Sequence, residues 1–278
     1  MLQVRNRLPA PDEYLVLDTG YTSAREYVAR RDGSFFKTIY FPATCVLLHH
    51  PTEGYCLFDT GYAPRFHEVT RRFPERIYAL ATPVVCSAEQ SAVVQLESMG
   101  LPAQEVRHIF VSHFHGDHVA GLCDFPAATI WCSREAWSYV SDLQGFGAVR
   151  HGVLRQLEPD DMPSRLRFYE DARPTQRDDA LGQHFDVFDD GYFRMIALPG
   201  HARGQYGMLL QGEQIFLVAD AFWRSEALRE GILPAPTVRL FFDDWRAYVA
   251  TFYRLREWWA ARPEVRVLAC HDIPSMYS

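Results

Sequence analysis

Four side chains that can bind metal ions fall within six residues near the middle of the chain. They are His113, His115, Asp117 and His118. Packing three imidazoles and a carboxylate side by side is costly unless a cation neutralises them. A histidine-rich surface loop would account for any one of these residues, but it does not account for all four at this spacing. The segment therefore predicts a metal site.

The elements on either side determine how these side chains are presented. Residues 107–112 have the pattern of a short buried strand and residues 116–121 that of a helix start, so the cluster lies on a strand-to-helix turn. In an extended turn His113 and His115 can point the same way, whereas Asp117 and His118 project from the first helical residues toward a neighbouring point. Two adjacent metal positions are expected.

This His-x-His-x-Asp-His arrangement resembles the metallo-β-lactamase superfamily, and segments similar to the later ligand motifs of that family follow in order. They are Leu198-Pro-Gly-His201, Phe216-Leu-Val-Ala-Asp220 and Val265-Arg-Val-Leu-Ala-Cys-His271, and the upstream run Tyr55-Cys-Leu-Phe-Asp59-Thr-Gly61 matches the Asp-Thr-Gly turn of the family. The resemblance covers roughly residues 40–278. It implies an α/β fold, the four-layer αββα metallo-β-lactamase sandwich.

The resemblance also implies how the ligands are shared between two metal ions. The first ion would be held by His113, His115 and His201, the second by Asp117, His118 and His271, and Asp220 would bridge them. Imidazole and carboxylate ligands without thiolate suit Zn²⁺, so two zinc ions are expected, with iron, manganese or cobalt left open. Asp59 and Asp272 are candidates to orient a ligand from behind.

Such a centre implies hydrolysis of an ester-like carbonyl. A water shared by two metal ions has its pKa lowered toward ~7, so that a bridging hydroxide can attack the carbonyl. Asp117 would be the catalytic residue that carries the proton to the leaving group.

Within the superfamily the chain most resembles the N-acyl homoserine lactone lactonases, which are quorum-quenching enzymes. The complete ligand set, the turn Leu198-Pro-Gly-His-Ala-Arg-Gly204 and an end seven residues after His271 favour this group over glyoxalase II types, which carry a further helical domain. The chain departs from the lactonase pattern at Trp223, where these enzymes usually have a tyrosine. Indole donates one hydrogen bond but cannot act as an acid.

Three other functions remain open. A thioesterase or phosphodiesterase would use the same metals with a different pocket. A persulfide-dioxygenase-like oxidoreductase would bind a single iron through His113, His201 and Asp220. A non-catalytic ligand-binding or regulatory member is expected to have lost metal ligands, and this chain has kept them.

Two segments, residues 19–36 and 222–242, resemble specificity loops beside the site. Their aromatic side chains predict an apolar mouth for a small-molecule substrate with an acyl or aryl part. The predicted pocket residues are Phe35, Phe36, Phe222 and Trp223.

Composition supports one domain over residues 1–278, since 48% hydrophobic content can bury a large core. A net charge of −7 and a pI near 5.9 argue against a nucleic-acid partner. No apolar run is long enough to span a membrane and no signal peptide is evident, which predicts a soluble cytoplasmic protein, monomer or homodimer. The six cysteines lack CxxC spacing and are interpreted as reduced core residues.

Hydrophobic periodicity supplies the remaining elements. Strands are predicted at residues 14–18, 39–49 and 55–58, helices at 88–99 and 244–261, and hairpins over 185–198 and 206–218.

Overall fold

The computed structural model describes residues 7–10, 13–175, 180–210, 212 and 214–272. Within these residues the strands form two mixed sheets. The first sheet contains β1 (Tyr14–Arg25), β2 (Thr38–His50), β3 (Gly54–Phe58), β4 (Val84–Val85), β5 (Val106–Phe110), β6 (Thr129–Cys132) and β7 (Leu166–Phe168). The second contains β8 (Arg173–Thr175), β9 (His184–Asp186), β10 (Phe193–Ala197), β11 (Tyr206–Leu210), β12 (Ile215–Ala219) and β13 (Arg266–Ala269).

Strand order brings the carboxyl ends of several strands to one edge. The first sheet has the order β4-β1-β2-β3-β5-β6-β7, with β3, β5, β6 and β7 parallel. The second has the order β13-β12-β11-β10-β9-β8. In it β11 is antiparallel to both neighbours and β12 is parallel to β13, so β10, β12 and β13 run the same way.

Helices cover the outer faces of the sheets. They are α1 (Glu26–Ala29), α2 (Arg65–Val69), α3 (Arg76–Ala81), α4 (Ala92–Ser98), α5 (Gly116–Val119), α6 (Arg134–Ser141), α7 (Gly145–Arg150), α8 (Met162–Arg165), α9 (Ser225–Glu230) and α10 (Trp245–Ala260). One apolar cluster lies between the two sheets, a second packs the first sheet against α4 and α6, and a third packs the second sheet against α9 and α10. The predicted four-layer αββα sandwich is confirmed. In the described parts of the chain, none of the helices combines the length and apolar character that crossing a bilayer requires.

Helix α10 shows how sequence pattern and packing agree. It begins at Trp245 because the Asp244 carboxylate caps it, accepting the N–H groups of Arg246 at 2.8 Å and Ala247 at 3.0 Å. Its buried residues recur at helical spacing and face the second sheet: they are Tyr248, Thr251, Phe252, Leu255 and Trp258.

Other elements differ in their bounds. Helix α4 starts at Ala92, four residues after the predicted start, because residues 88–91 form turns. Strand β1 continues to Arg25, pairing with β2 beyond a register shift between Asp18 and Tyr21. The hairpins β9–β10 and β11–β12 pair as predicted, and residues 211 and 213 of the second turn lie outside the described residues.

Every strand that precedes a predicted metal ligand ends at the same edge of the sandwich. His113 follows β5, His201 follows β10, Asp220 follows β12 and His271 follows β13. Parallel strands direct their carboxyl ends to one edge, which is where open α/β folds form their sites. The topology therefore gathers residues that lie up to 158 positions apart in the sequence.

The opposite edge holds a buried histidine at the end of β2. His50 is 1% exposed, its Nδ1 accepts the N–H groups of Thr52 at 3.3 Å and Glu53 at 3.2 Å, and its Nε2 lies 3.0 Å from Asp190. Burial lowers the pKa of His50 despite the neighbouring carboxylates. Its stabilising effect is complete above the unfolded-state pKa of about 6.5 and declines as the pH falls below that value.

His50→Asn is expected to flatten the acid side of the stability curve. Asparagine can accept the same turn N–H through its amide oxygen, yet it does not titrate. In metal-free protein the free energy of unfolding between pH 6.5 and 4.5 should fall less steeply than in the wild type, by at most about 1.4 kcal/mol per pH unit. Urea unfolding at several pH values measures this, and parallel curves for both proteins would contradict it.

Candidate metal centre

The turn after β5 presents the first histidines. β5 ends at Phe110, and His115 is in extended conformation before helix α5 begins at Gly116. His113 is fully buried, and Asp117 and His118 lie in the first turn of α5, 7% and 0% exposed. The predicted strand-to-helix turn is therefore present, although α5 spans only four residues.

A first cluster consists of His113, His115 and His201. One ring nitrogen from each lies within 4.8 Å of the other two, and His201 Nε2 is 3.0 Å from His115 Nδ1. Burial lowers the pKa of His113 and of His115, and it lowers the pKa of His201 to about 3. All three imidazoles are thus neutral, which is the form that binds a metal ion.

A second cluster lies beside it and contains His118, Asp220, Cys270 and His271. His271 Nε2 is 3.1 Å from Asp220 Oδ2, and His118 Nε2 is 3.4 Å from Asp220 Oδ1. Asp117 also reaches this cluster, with its Oδ2 3.5 Å from His271 Nε2. The Cys270 thiol donates to the Thr44 carbonyl at 3.4 Å.

The carboxylate of Asp220 joins the two clusters. Its Oδ2 lies 3.2 Å from His201 Nε2 as well as 3.1 Å from His271 Nε2. It is 2% exposed and follows Ala219, which has a left-handed φ of 47°. A non-glycine residue in that region is strained, and such strain concentrates at functional sites.

The second cluster attracts positive charge. Burial opposes the charged form of His118, but Cys270, Asp59 and Asp117 outweigh it and raise its pKa well above the usual value. Burial also opposes the charged form of His271, but mainly Asp220 raises its pKa to about 10. Burial would raise the pKa of Asp220, yet the facing histidines hold it well below its usual range. A carboxylate this acidic is ready to bind a cation.

The outward nitrogens of two candidate ligand histidines are held by oxygen atoms. His118 Nδ1 donates to Asp59 Oδ2 at 2.7 Å, and His271 Nδ1 donates to the Pro42 carbonyl at 2.8 Å. Asp59, at a left-handed φ of 60°, also accepts the N–H and the hydroxyl of Ser112, both at 2.8 Å. These contacts direct Nε2 of each imidazole into the centre, as ligands to metal ions require.

Several buried polar atoms in the centre are placed as ligands to a metal ion would be. His113 Nε2, His118 Nε2 and Asp220 Oδ1 are buried and have no hydrogen-bond partner among the residues that the structure describes. Burying such atoms unpaired is costly, and a divalent cation would satisfy them together. The donors are imidazole nitrogens and carboxylate oxygens, with one thiol nearby, which suits a first-row divalent ion.

A glycine opposite His115 leaves room for the ring. A Cβ on Gly152 would lie 2.5 Å from His115 Cδ2, and the residue has a φ of +71°. Gly152→Ala is expected to push the imidazole out of the first cluster and weaken zinc binding by about ten- to hundredfold. Competition with a chromophoric chelator measures the affinity.

Gly100→Ala is the matched control. Gly100 has a similar φ of +86°, and a Cβ there would meet nothing within 4 Å. It carries the same backbone penalty without the collision, so its zinc affinity should equal that of the wild type. Equal affinities for the Gly152 and Gly100 variants would show that the ring does not depend on this space.

Trp223 is the predicted pocket residue that the structure places at the centre. Its ring centroid is 6.0 Å from that of His201 and 5.9 Å from that of Phe41, and its Nε1 donates to Asp220 Oδ2 at 3.3 Å. The indole thus forms part of the wall of the centre, and its single N–H group is engaged by the carboxylate of Asp220. Phe242 completes this wall, with its ring 5.1 Å from that of His201.

Phe222 requires a correction. It is 1% exposed and packs in the cluster between the second sheet and α10, so its ring does not line an open pocket. Phe35 and Phe36 are exposed, at 66% and 90%, and Phe35 stacks on Tyr27 with a centroid distance of 4.4 Å. The structure does not bring either of them to the metal ligands.

The two predicted specificity loops also contain more helix and strand than expected. The first half of residues 19–36 is the end of β1 followed by α1, and residues 222–242 contain α9 and a 3-10 helix at Pro236–Phe241. The two segments contact each other, since Arg31 N–H donates to the Leu233 carbonyl at 2.9 Å and Arg30 pairs with Glu230 at 2.7 Å.

Asp272 does not orient a metal ligand. It is 1% exposed and accepts the N–H and the hydroxyl of Ser225, the first residue of α9. Four of the six cysteines are buried and all six are free, while Cys86 and Cys123 are partly exposed.

Sequence reasoning missed some of the supporting groups. Ser112 stands next to His113 in the motif and could have been found there. The carbonyl of Pro42 and the missing side chain of Gly152 leave no chemical signature in a sequence, because a backbone oxygen and an absent Cβ act only through tertiary placement.

Comparisons with known proteins agree with the metal-binding character of this centre. A family model described as the metallo-beta-lactamase superfamily matches residues 38–258. The chain is similar to the N-acyl homoserine lactonase AttM of Rhizobium radiobacter, with 26% identity over 234 residues, covering 83% of this chain and 82% of that protein. It is also 26% identical over 251 residues to the probable metallo-hydrolase Rv2300c of Mycobacterium tuberculosis, covering 84% of this chain and 75% of that protein.

Two solved structures share the fold. One is an N-acyl homoserine lactone hydrolase with the product N-hexanoyl-L-homoserine bound at its catalytic metal centre, with a TM-score of 0.70, 17% identity and coverage of 95% of this chain and 94% of that one. The other is AidC, a dizinc quorum-quenching lactonase, with a TM-score of 0.66, 16% identity and coverage of 96% and 90%.

Proposed function

The chain belongs to the metallo-β-lactamase superfamily, and we propose that within it the protein is a dinuclear zinc hydrolase that opens lactones of the N-acyl homoserine type. The main support for this proposal is the pair of adjacent clusters joined by the carboxylate of Asp220. Its Oδ2 lies 3.2 Å from His201 Nε2 and 3.1 Å from His271 Nε2. The likeness to AttM over most of both chains supports the choice of lactone. In a cell this reaction would be quorum quenching.

Two bound zinc ions would supply a nucleophilic hydroxide at neutral pH and polarise the substrate carbonyl. His113, His115 and His201 would hold the first ion, Asp117, His118 and His271 the second, and Asp220 would contact both.

The residues of the chain would perform the remaining work. Asp117 is 7% exposed and its Oδ2 lies 3.5 Å from His271 Nε2, where its carboxylate can accept a proton from the attacking water and deliver it to the ring oxygen as the C–O bond breaks. Asp59 fixes the imidazole of His118, and Trp223 excludes water and fixes Asp220. Neither of these last two groups touches the reacting bond.

A small cavity of mixed polar and apolar lining lies beside the first cluster. It borders His115 and His201, and its lining combines the apolar Phe114, Val140, Val153 and Phe241 with the polar Tyr139, His151, Arg203 and Asp243. Its one cation, Arg203, is neutralised by Asp243 at 3.1 Å and covers the ring of Tyr139 at 4.3 Å. Because Arg203 is already paired, it offers a phosphate group little attraction, which favours an uncharged substrate over a phosphodiester. The six free cysteines are in keeping with a reducing compartment, so we include a cytoplasmic location in the proposal.

The test of this function is acid release by zinc-loaded protein from a medium-chain N-acyl homoserine lactone, run beside an acyl thioester and a phosphodiester. Rapid ring opening with slow turnover of the other two is the expected result. A lactone that stays intact while the thioester is cleaved would contradict the proposal and indicate a thioesterase.

A further inference from the structure

The second cluster contains a thiol as well as imidazoles and a carboxylate. Cys270 directly precedes His271 and is 6% exposed. Its Sγ and one ligand atom each of His118, Asp220 and His271 all lie within 4.8 Å of one another. Zinc–nitrogen and zinc–sulfur bonds are about 2.1 and 2.3 Å long, so side-chain adjustments of about 1 Å would bring the four atoms onto one ion.

Backbone contacts hold Cys270 at this position. Its N–H donates to the carbonyl of Ala219, the residue before Asp220, at 3.2 Å. Its own carbonyl accepts the hydroxyl of Thr44 at 2.8 Å. The sulfur is therefore kept beside the shared carboxylate by contacts to two strands, β2 and β12.

Two neighbours of the sulfur are buried polar atoms that need a cation. His118 Nε2 and Asp220 Oδ1 have no hydrogen-bond partner among the described residues, and these residues are 0% and 2% exposed. The Cys270 thiol donates to the Thr44 carbonyl at 3.4 Å, and a thiol is a weak donor. A cation here would satisfy the nitrogen and the oxygen, and the thiol would give up little in exchanging its hydrogen bond for a bond to metal.

The first cluster has a different set of donors. Within the part of the chain that the structure describes, its group consists of His113, His115 and His201. Imidazole suits a range of first-row ions, whereas thiolate favours soft ions. The two positions should therefore differ in their metal preference.

We propose that Cys270 binds the ion of the second cluster through its thiolate sulfur, and that it makes this position selective for thiophilic ions such as Zn²⁺ and Cd²⁺ over Mn²⁺. The inference rests on the dinuclear centre of the proposed function and adds a ligand to it. When the ion binds, the S–H bond breaks, the proton passes to solvent and a metal–sulfur bond forms, with no change in oxidation state.

Cobalt(II) reports such a bond directly, because charge transfer from thiolate to cobalt gives an absorption band in the near ultraviolet. Wild-type protein loaded with two Co²⁺ per chain should show this band, and Cys270→Ser should lose it while its visible cobalt bands remain. Cys132→Ser is the matched control, since Cys132 is also a buried cysteine at a strand end, the last residue of β6. Its spectrum should be that of the wild type.

Metal affinities test the selectivity. Cys270→Ser should bind Cd²⁺ at the second position about a hundredfold more weakly than the wild type, and Mn²⁺ less than about threefold more weakly. Competition with a chromophoric chelator measures both values. Equal losses for the two ions would contradict a soft ligand.

X-ray absorption at the zinc edge of the wild type decides the question without a variant, even if Cys270→Ser does not fold. One sulfur at about 2.3 Å for each pair of zinc ions is expected. Two ions per chain with only nitrogen and oxygen ligands, or a near-ultraviolet cobalt band that persists in Cys270→Ser, would overturn the inference and leave the proposed function in place. Wild-type protein that binds a single ion would overturn the dinuclear centre and this inference with it.

Discussion

Asp220→Asn is expected to retain at most one zinc ion per chain and to lose at least about a thousandfold in kcat/KM. The substitution keeps the shape of the side chain but removes the negative charge that faces His118, His201 and His271. An amide also presents an N–H₂ group, which cannot bind a cation. Because both clusters share this carboxylate, its neutralisation should affect both metal positions.

Metal analysis after dialysis and initial-rate kinetics measure these two effects. Asp189→Asn is the control, since Asp189 is an exposed aspartate paired with Arg173 and has a φ of 58°, where asparagine is well tolerated. That variant should bind two ions and retain full activity. Two tightly bound ions in Asp220→Asn would mean that the carboxylate does not join the clusters.

Asp117→Asn is expected to lower kcat by about a hundred- to ten-thousandfold when it is assayed at saturating zinc. An amide cannot accept the proton of the attacking water or deliver one to the leaving oxygen. The fold should not change, because Asp117 is in the first turn of α5 and points toward His271 rather than into the apolar core.

An aryl ester substrate distinguishes a role of Asp117 in proton delivery from a role in metal binding. If Asp117 delivers the proton, Asp117→Asn should lose less on a 4-nitrophenyl ester, whose leaving group departs without protonation. Full activity on the lactone would remove Asp117 from this role. Equal losses on both substrates, together with a reduced zinc content, would make it a metal ligand only.

The candidate metal ligands could be located from the sequence because each belongs to a local motif at a strand end. His113 to His118 are contiguous, and the segments ending in His201, Asp220 and His271 each combine an apolar strand with a polar residue after it. A strand that ends in a lone polar residue carries its own signal, and the parallel topology then brings those ends together. The structure places all of these side chains at one edge, with the supporting carboxylate of Asp59 beside them.

The roles of other residues could not be predicted from the sequence, because they depend on the direction of the side chain or on packing against distant segments. Phe222 and Trp223 are adjacent aromatics after the same strand, yet one faces the core and the other faces Asp220. Local composition cannot separate them, because the direction of each side chain in this turn is set by the elements that pack against it.

The segment at residues 19–36 shows a further limit. Its glycine, charged and aromatic residues predicted a loop, but β2 offers a long partner edge and β1 continues along it to Arg25. Tertiary pairing overrides weak local preference in strands. The aromatic rings that pack beside the two clusters are instead those of Trp223, Phe41 and Phe242.

The number of metal ions per chain tests the central claim most directly. Protein stripped with a chelator should be titrated with Zn²⁺ and followed by native mass spectrometry and calorimetry, with iron supplied in a parallel sample. We expect two zinc ions per chain, with lactone hydrolysis appearing as the second is bound. A single iron per chain, with no second ion taken up from zinc solution, would contradict the dinuclear centre and indicate a mononuclear oxidoreductase.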